Sequence, residues 1–451
     1  MVLLNAIKKY SATLVAINPQ NKLNSKHKLS GEYFTNDKYI YWLVDDTLKI
    51  NNLAHDLSIF FYEQKQAINV DINSFLKLIK PNLASSLINA FFSANAFATE
   101  RYSLKTDPVK NVIKHNFIID QQKFANEIKV AQVLAESESF ARTLISMPSN
   151  LLHADQFEKM FRHKFQGLKN VKFSVLDKQD LIKKKMGLIL AVGQASTQYN
   201  EPRIIVAKYC TDHNKKLLAL VGKGLMFDTG GLNLKPGEAM NTMNADMAGS
   251  AIALSTIYAL AKLNIKANVV GLATITSNEI GPHAYRVNDV FTSYSGKTVE
   301  ILNTDAEGRL ALADGITYAK RDLKANTIIT IATLTGAITV ALGNLFTGIW
   351  SSNQHQWNML EEAAQHAPEL IWRMPLHKVY ADSNINNTNI ADIANISPGR
   401  LGGANTAAEF LHYFANNVNF IHADIAGTYE LKKHSIATML KTLFFFIKDF
   451  K

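Results

Sequence analysis

The sequence predicts an α/β chain of two domains: a smaller N-terminal α/β domain over residues 1–140, and a larger C-terminal domain over residues 141–451 with a mixed, mostly parallel sheet flanked by helices. Three observations carry this. Beyond residue 200, β-rich apolar runs alternate with stretches of helical periodicity. The first 140 or so residues instead mix short apolar runs with Asn/Asp/Lys-rich turns, and hold none of the acid and glycine clusters found later. The chain has 451 residues, 47% hydrophobic and 19% charged, which is enough for two substantial cores.

In chain order, Tyr39-Ile40-Tyr41-Trp42-Leu43-Val44 and Leu57-Ser58-Ile59-Phe60-Phe61 are the clearest apolar runs of the first part. Residues 121–145 have helical spacing, with Phe124, Ile128, Ala131, Leu134, Ala141 and Ile145 as expected core positions, until Met147-Pro148-Ser149-Asn150 interrupts them. Residues 217–221, 267–275 and 327–333 are expected as buried strands, and 245–263 and 310–320 as helices with apolar faces. Thr406, with Glu409 three residues on, fits a capping box that would start a helix running through Tyr413. No internal repeat or low-complexity linker is evident.

Composition narrows the function. One cysteine, Cys210, excludes an intrachain disulfide and is expected to be a small buried hydrophobe. Residues 1–10 have too short an apolar run ahead of their lysines for a signal peptide. No stretch of about 18 apolar residues spans a membrane, and Leu443-Phe444-Phe445-Phe446-Ile447 is far too short. A cytoplasmic protein without a membrane partner is expected. The net charge of +10 raises the question of nucleic acid. Residues 1–200 carry an excess of nine basic residues and residues 201–451 an excess of one, so the charge lies away from the clustered acids. Its densest run, Lys183-Lys184-Lys185, reads as a solvated helix end.

Those acids fall in two stretches. Asn303-Thr304-Asp305-Ala306-Glu307-Gly308-Arg309-Leu310 follows the strand-like run Thr298-Val299-Glu300-Ile301-Leu302. If the backbone stays extended, Asp305, Glu307 and Arg309 project from one face. Upstream, Val221-Gly222-Lys223-Gly224-Leu225-Met226-Phe227-Asp228-Thr229-Gly230-Gly231 continues to Lys235-Pro236, and then to Asn244-Ala245-Asp246-Met247. Asp228, Asp246, Asp305 and Glu307 make four carboxylates among glycines that allow close backbone approach. Four carboxylates suffice for two divalent cations at the usual spacing of about 3.5–4 Å. No HExxH, paired CxxC or EF-hand loop offers an alternative metal site.

Taken in order, these motifs resemble the cytosolic leucyl aminopeptidase family of dimetal exopeptidases. The match covers most of residues 221–343, ending with Ala332-Thr333-Leu334-Thr335-Gly336-Ala337. Weaker similarity lies at 142–157, 186–203, 372–376 and 402–408. The resemblance implies that residues 141–451 form a catalytic domain that removes N-terminal amino acids, Leu, Met and similar, from short peptides with free N-termini. It implies two divalent metal ions per subunit, Zn²⁺ or Mn²⁺ with Co²⁺ or Mg²⁺ as alternatives. Lys223, Asp228, Asp246 and Glu307 would hold the tighter ion, and Asp228, Asp305 and Glu307 the more exchangeable one. Lys235 would stabilise the oxyanion, Arg309 would hold a bicarbonate ion, and Met243, Asn303, Thr333 and Gly336 would line the substrate pocket. A homohexamer is implied too.

Each role has a plainer rival. Lys223 could simply form a salt bridge to Asp228, Lys235 could lie on the surface, and the pocket residues could be ordinary core and turn positions. Thr229, Met226, Ser277 and Val287-Asn288 depart from the family's commoner residues without removing a ligand. His434-Ser435-Ile436-Ala437-Thr438-Met439 replaces a glycine-rich segment, which leaves the far wall of the pocket open. Ser295-Gly296-Lys297-Thr298 imitates the end of a P-loop, but Phe291 stands where the required glycine belongs. A dimetal phosphoesterase would give Lys235 and Lys223 no purpose. A DNA-binding protein with secondary or absent peptidase activity is the alternative function, with nucleic acid a less favoured partner.

Overall fold

The computed structural model describes residues 3–4, 12–18, 31–36, 38–44, 49–106, 113–399 and 401–450. The segment 1–10, read above against a signal peptide, lies outside the described residues apart from Leu3–Leu4. The chain divides into two units, one formed by Met1–Ser139 with Glu361–Leu370, the other by Phe140–Leu360 with Ile371–Lys451.

In the first unit, strands β1 (Leu3–Leu4), β2 (Thr13–Ile17), β3 (Tyr33–Thr35), β4 (Tyr39–Leu43), β5 (Asn69–Asp71) and β6 (Asn116–Ile118) form one sheet in the order β1-β6-β5-β2-β4-β3. All its pairings are parallel except β3 with β4. Helices Ile50–Glu63 and Ala84–Thr99 pack on each other and present Leu53, Leu57, Phe60, Phe61, Leu87, Phe91 and Phe92 to the core. Aromatic rings meet there edge to face, Phe75 with Phe91 at 4.9 Å and Trp42 with Phe60 at 5.5 Å. Asn51 Nδ2 donates to Glu369 O at 3.0 Å, which ties Glu361–Leu370 into this unit. His115 is wholly buried against Phe61. Its Nδ1 accepts from Ile68 N at 3.3 Å, and burial pulls its pKa down to about 4.

The second unit is built on strands β7 (Val171–Leu176), β8 (Arg203–Cys210), β9 (Leu218–Asp228), β10 (Asn268–Asn278), β13 (Thr327–Ala332), β14 (Thr347–Ser351), β15 (Ile371–Arg373) and β17 (Asn419–Asp424). Two smaller sheets hold β11 (Val290–Thr292), β12 (Thr298–Glu300) and β16 (Ile393–Ala394), and β18 (Glu430–Leu431) with β19 (His434–Ser435). The large sheet runs β15-β14-β17-β13-β9-β10-β8-β7. Its centre, β17-β13-β9-β10, is parallel; β14 runs against β17 but parallel with β15, and at the other edge β8 runs against β10 and β7 against β8.

Consecutive residues of β9 point to opposite faces. At Gly222 an added Cβ would meet Gly249 and Ser250, whereas Val221 Cγ1 lies toward Gly315. Helices Ala248–Lys262 and Gly308–Arg321 therefore cover opposite sides of the sheet. Ala248 to Ala261 are buried without a break, as expected for a helix sunk in a core. Asp314 fixes the other helix: its carboxylate accepts from Leu188 N, Ile189 N and Tyr294 N at 2.9, 3.0 and 2.7 Å. With both faces covered, the central strands are buried almost throughout and mainly apolar, with polar interruptions that include Lys223 in β9 and Thr330 in β13.

The helix expected over 121–145 is observed as Ala125–Ser146, with Ile128, Ala131, Leu134, Ala141 and Ile145 buried and Phe124 partly so. Lys183 and Lys184 do end a helix, Lys178–Lys184. Four expectations change. The helix expected from 245 begins at Ala248, because Met243–Ala245 form a 3₁₀ turn. Thr406 is not an N-cap: Gly402, in the left-handed region, starts the helix Gly403–Phe414, and Thr406 Oγ1 bonds back to Gly403 O. Cys210 is half-buried at a strand end. The chain does not stay extended to Arg309, for it turns at Thr304-Asp305 and enters a helix at Gly308. Ser295-Gly296-Lys297 closes the β11-β12 hairpin, and Lys297 pairs with Asp392 at 3.1 Å. Among the described residues, no helix is long and apolar enough to cross a membrane.

Candidate metal centre

Four chain segments meet at the C-terminal ends of the central parallel strands, where open α/β sheets place ligands. From β9 come Lys223 and Asp228, followed by Lys235. The 3₁₀ turn beside it gives Asp246, whose N–H donates to Met243 O at 3.4 Å. The β12-to-helix turn gives Asp305 and Glu307, and Thr333 follows β13.

Lys223 is only 3% exposed: its Nζ donates to Thr333 O at 3.0 Å and forms ion pairs with Asp246 Oδ2 and Glu307 Oε1, each at 2.9 Å. Burial alone would lower its pKa, but Asp246, Glu307 and Asp228 outweigh that and hold it above the ordinary lysine value. Its acids are thus Asp246 and Glu307 rather than the Asp228 salt bridge considered from sequence. A Cβ on Gly308 would lie 2.5 Å from Lys223 Cε, so only glycine admits this approach. Lys235 is not on the surface. Its Nζ lies 2.8 Å from Asp228 Oδ2 and 2.5 Å from Asp305 Oδ1.

One oxygen from each of Asp228, Asp305 and Glu307 lies within 4.8 Å of the others. Burial, then repulsion from Asp228, pushes Glu307 up to about 8, and burial pushes Asp246 up to about 6. Asp305 is raised for the same reason. Among the described residues, none donates a hydrogen bond to the buried Glu307 Oε2. Clustered carboxylates with raised pKa values and an orphaned oxygen are short of positive charge. An all-oxygen cluster of this kind, with an amine beside it, fits divalent cations.

Arg309 is buried in the first turn of its helix. Nη1 donates to Asn395 O at 2.7 Å, Nε has no partner among the described residues, and burial lowers its pKa to about 10. A buried guanidinium with a free N–H suits a small anion. Of the expected pocket residues, Thr333 binds the cluster directly, since its hydroxyl donates to Asp246 Oδ1 at 2.6 Å. Asn303, half-buried, accepts from Asp305 N at 2.8 Å through Oδ1. Met243 adjoins Asp246 by the backbone bond above. Gly336 opens the helix Gly336–Leu342 with open space where a Cβ would point.

Sequence reasoning missed the groups that aim these side chains. Asn278, at the end of β10, donates to Asp228 Oδ1 at 2.8 Å and to Thr304 O at 3.0 Å. Tyr285 Oη also donates to Thr304 O, at 2.7 Å. Thr304 Oγ1 donates to Gly230 O at 2.7 Å and accepts from Asn233 N, which joins the two glycine-flanked loops. Gly230, at φ +86°, could not carry a side chain there: a Cβ would also crowd Asp305 Oδ1 at 2.9 Å. The available signal for Asn278 was the polar end of an otherwise apolar strand run.

Comparison with known proteins agrees with this geometry. Residues 139–443 match the model of the cytosol aminopeptidase family catalytic domain. The chain is 42% identical over 391 residues to a probable cytosol aminopeptidase of Mycoplasma pneumoniae, covering 85% of this chain and 86% of that protein. A protein of the same description from Mycoplasma genitalium is 40% identical over the same shares. One from Metamycoplasma salivarium is 38% identical over 80% of this chain and 70% of its own length. With the matched region containing every residue of the acid cluster, this chain belongs to the cytosol aminopeptidase family.

Proposed function

We propose that the chain is a metal-dependent aminopeptidase that removes N-terminal Leu, Met and similar residues from short peptides, with residues 141–451 as its catalytic domain and 1–140 as a separate N-terminal domain. The observation that carries this is the convergence of Asp228, Asp305 and Glu307 on one small volume, with Lys223 and Asp246 behind it and Lys235 at its edge. Lys223, whose ammonium would give up its proton as two adjacent dications depress its pKa, would hold one divalent ion with Asp228, Asp246 and Glu307, and Asp228, Asp305 and Glu307 would hold a second, Zn²⁺ or Mn²⁺ with Co²⁺ or Mg²⁺ as alternatives. Such ions supply Lewis acidity and lower the pKa of bound water toward neutrality.

The protein's own groups do the rest. Lys235, mostly buried, stays cationic because Glu307, Asp228 and Asp305 more than offset the burial that would lower its pKa. It would donate to the oxyanion that develops on the scissile carbonyl. Arg309 would hold bicarbonate through its Nε–H, which has no partner among the described residues. Met243, Asn303, Thr333 and Gly336 would line a pocket for a medium aliphatic side chain, with selectivity of a few kcal/mol. We assign the chain to the cytoplasm as a homohexamer on the family resemblance.

The test is a panel of aminoacyl amides, free and N-acetylated, offered to metal-stripped protein reloaded with Mn²⁺, Co²⁺, Zn²⁺ or Mg²⁺. Cleavage restricted to free N-termini and fastest for Leu or Met is expected. Equal cleavage of the acetylated set would sink the exopeptidase reading.

A further inference from the structure

Asn395, just after β16, is wholly buried in the second unit and was not singled out by any motif. It touches the site loop at four places. Its backbone N–H donates to Glu300 O at 3.0 Å, continuing the parallel β12-β16 pairing. Its side-chain Oδ1 accepts from Leu302 N at 2.8 Å and Asn303 N at 3.3 Å, and its Nδ2 donates to Asn303 O at 2.6 Å. Its backbone carbonyl accepts from Arg309 Nη1 at 2.7 Å.

The side chain therefore takes both backbone groups of Asn303, as a neighbouring strand would, at the point where β12 ends and no strand remains to do so. Asn303 in turn bonds Asp305 N through Oδ1. The two links run in series from Asn395 to the backbone of Asp305. Lys223 and Asp246 are held by a separate set of bonds, to Thr333.

We propose that Asn395 is a positioning residue that sets the placement of Asp305 in the metal centre, without touching the ions or the substrate itself. The inference rests on the two-ion reading above. Removing the Asn395 amide frees the backbone of 302–303 and lets Asp305 move, while Arg309 keeps its contact, which is to a backbone oxygen. The effect should fall on the ion that uses Asp305 and spare the ion held by Lys223 and Asp246. Partners of this kind are worth about 10–100-fold in metal affinity or activity.

Mn²⁺ titration of metal-stripped full-length protein, read by calorimetry, separates the outcomes when wild type, Asn395→Ala and Asn395→Asp are compared, with thermal unfolding and kcat measured alongside. Asn395→Asp keeps the acceptor and loses the donor to Asn303 O, so it serves if the alanine variant does not fold. The expected result is one Mn²⁺ site weakened about 10–100-fold, the other within twofold, and kcat reduced with KM changed much less. Two sites unchanged, or both weakened in step with a lower unfolding temperature, would overturn the positioning role. A wild type that binds fewer than two ions would instead remove the two-ion reading itself.

Discussion

The two units bury polar groups for opposite ends. In the first, His115 is buried against the Phe61 ring with one nitrogen accepting a backbone N–H, and burial keeps it neutral. The polar group has been fitted to an apolar core. In the second, burial has been imposed on four carboxylates that repel one another, with Glu307 and Asp246 pushed well above the usual carboxylate range. Charge there is concentrated rather than silenced. The contrast separates residues kept for stability from residues kept for chemistry, because the second arrangement gains nothing for the fold that apolar side chains would not supply.

The largest effect that could break this comparison lies in the first core. Phe91, fully buried against Phe61, Phe75 and Phe117, should cost about 3–5 kcal/mol when changed to Ala, by the usual penalty for emptying an aromatic site. Urea unfolding measures it, and a loss below about 1 kcal/mol would mean this core is not what holds the first unit. Lys235→Ala should leave unfolding almost unchanged and lower kcat about 10²–10³-fold, as removal of one oxyanion donor does, with KM moved much less. Excess metal should not restore it; near-normal kcat with both metal sites full would take Lys235 out of the mechanism.

A third test uses pH. His115 has a folded pKa of about 4 against an unfolded value of about 6.5, so between these values the unfolded chain binds more protons. Stability present above pH 6.5 is therefore lost as pH falls toward 4, by up to about 3 kcal/mol. Urea midpoints across that range should show the slope, and His115→Asn, which keeps an acceptor for Ile68 N, should flatten part of it. The smallest expected effect is Asp305→Asn, which removes one charge from the half-buried corner of the cluster. It should weaken retention of one ion about 10-fold, the lower end for such site changes, and raising the metal concentration should recover part of the activity. Failure to recover would place Asp305 in the chemistry rather than in metal binding.

How much of this could be read from the chain depended on sequence distance. Lys223 and Asp228 share a strand, Asp305 and Glu307 share a turn, and the glycines around them mark close approach, so the cluster was legible before any fold was known. The central strands were legible because they are mainly apolar on both faces. The turn at Thr304-Asp305 was not: an extended backbone was expected, and what bends it is Thr304 reaching Gly230 and Asn233, some 70 residues away. Asn278 and Asn395 were hidden for the same reason. A buried amide is indistinguishable from a loop amide until its partners are known, and those side-chain partners lie 26 to 93 residues distant.

The three acceptors around Lys223 have a consequence for how the protein matures. They come from Asp246, Glu307 and Thr333, so the ammonium is paired with all three only after segments from three places in the chain have reached their final positions. A partly folded chain would present a lysine and scattered acids, with no pocket to concentrate a cation. Under the proposed metal-dependent function, uptake of metal would then be a late event, and the first bound ion would report that the sheet and both covering helices are already assembled.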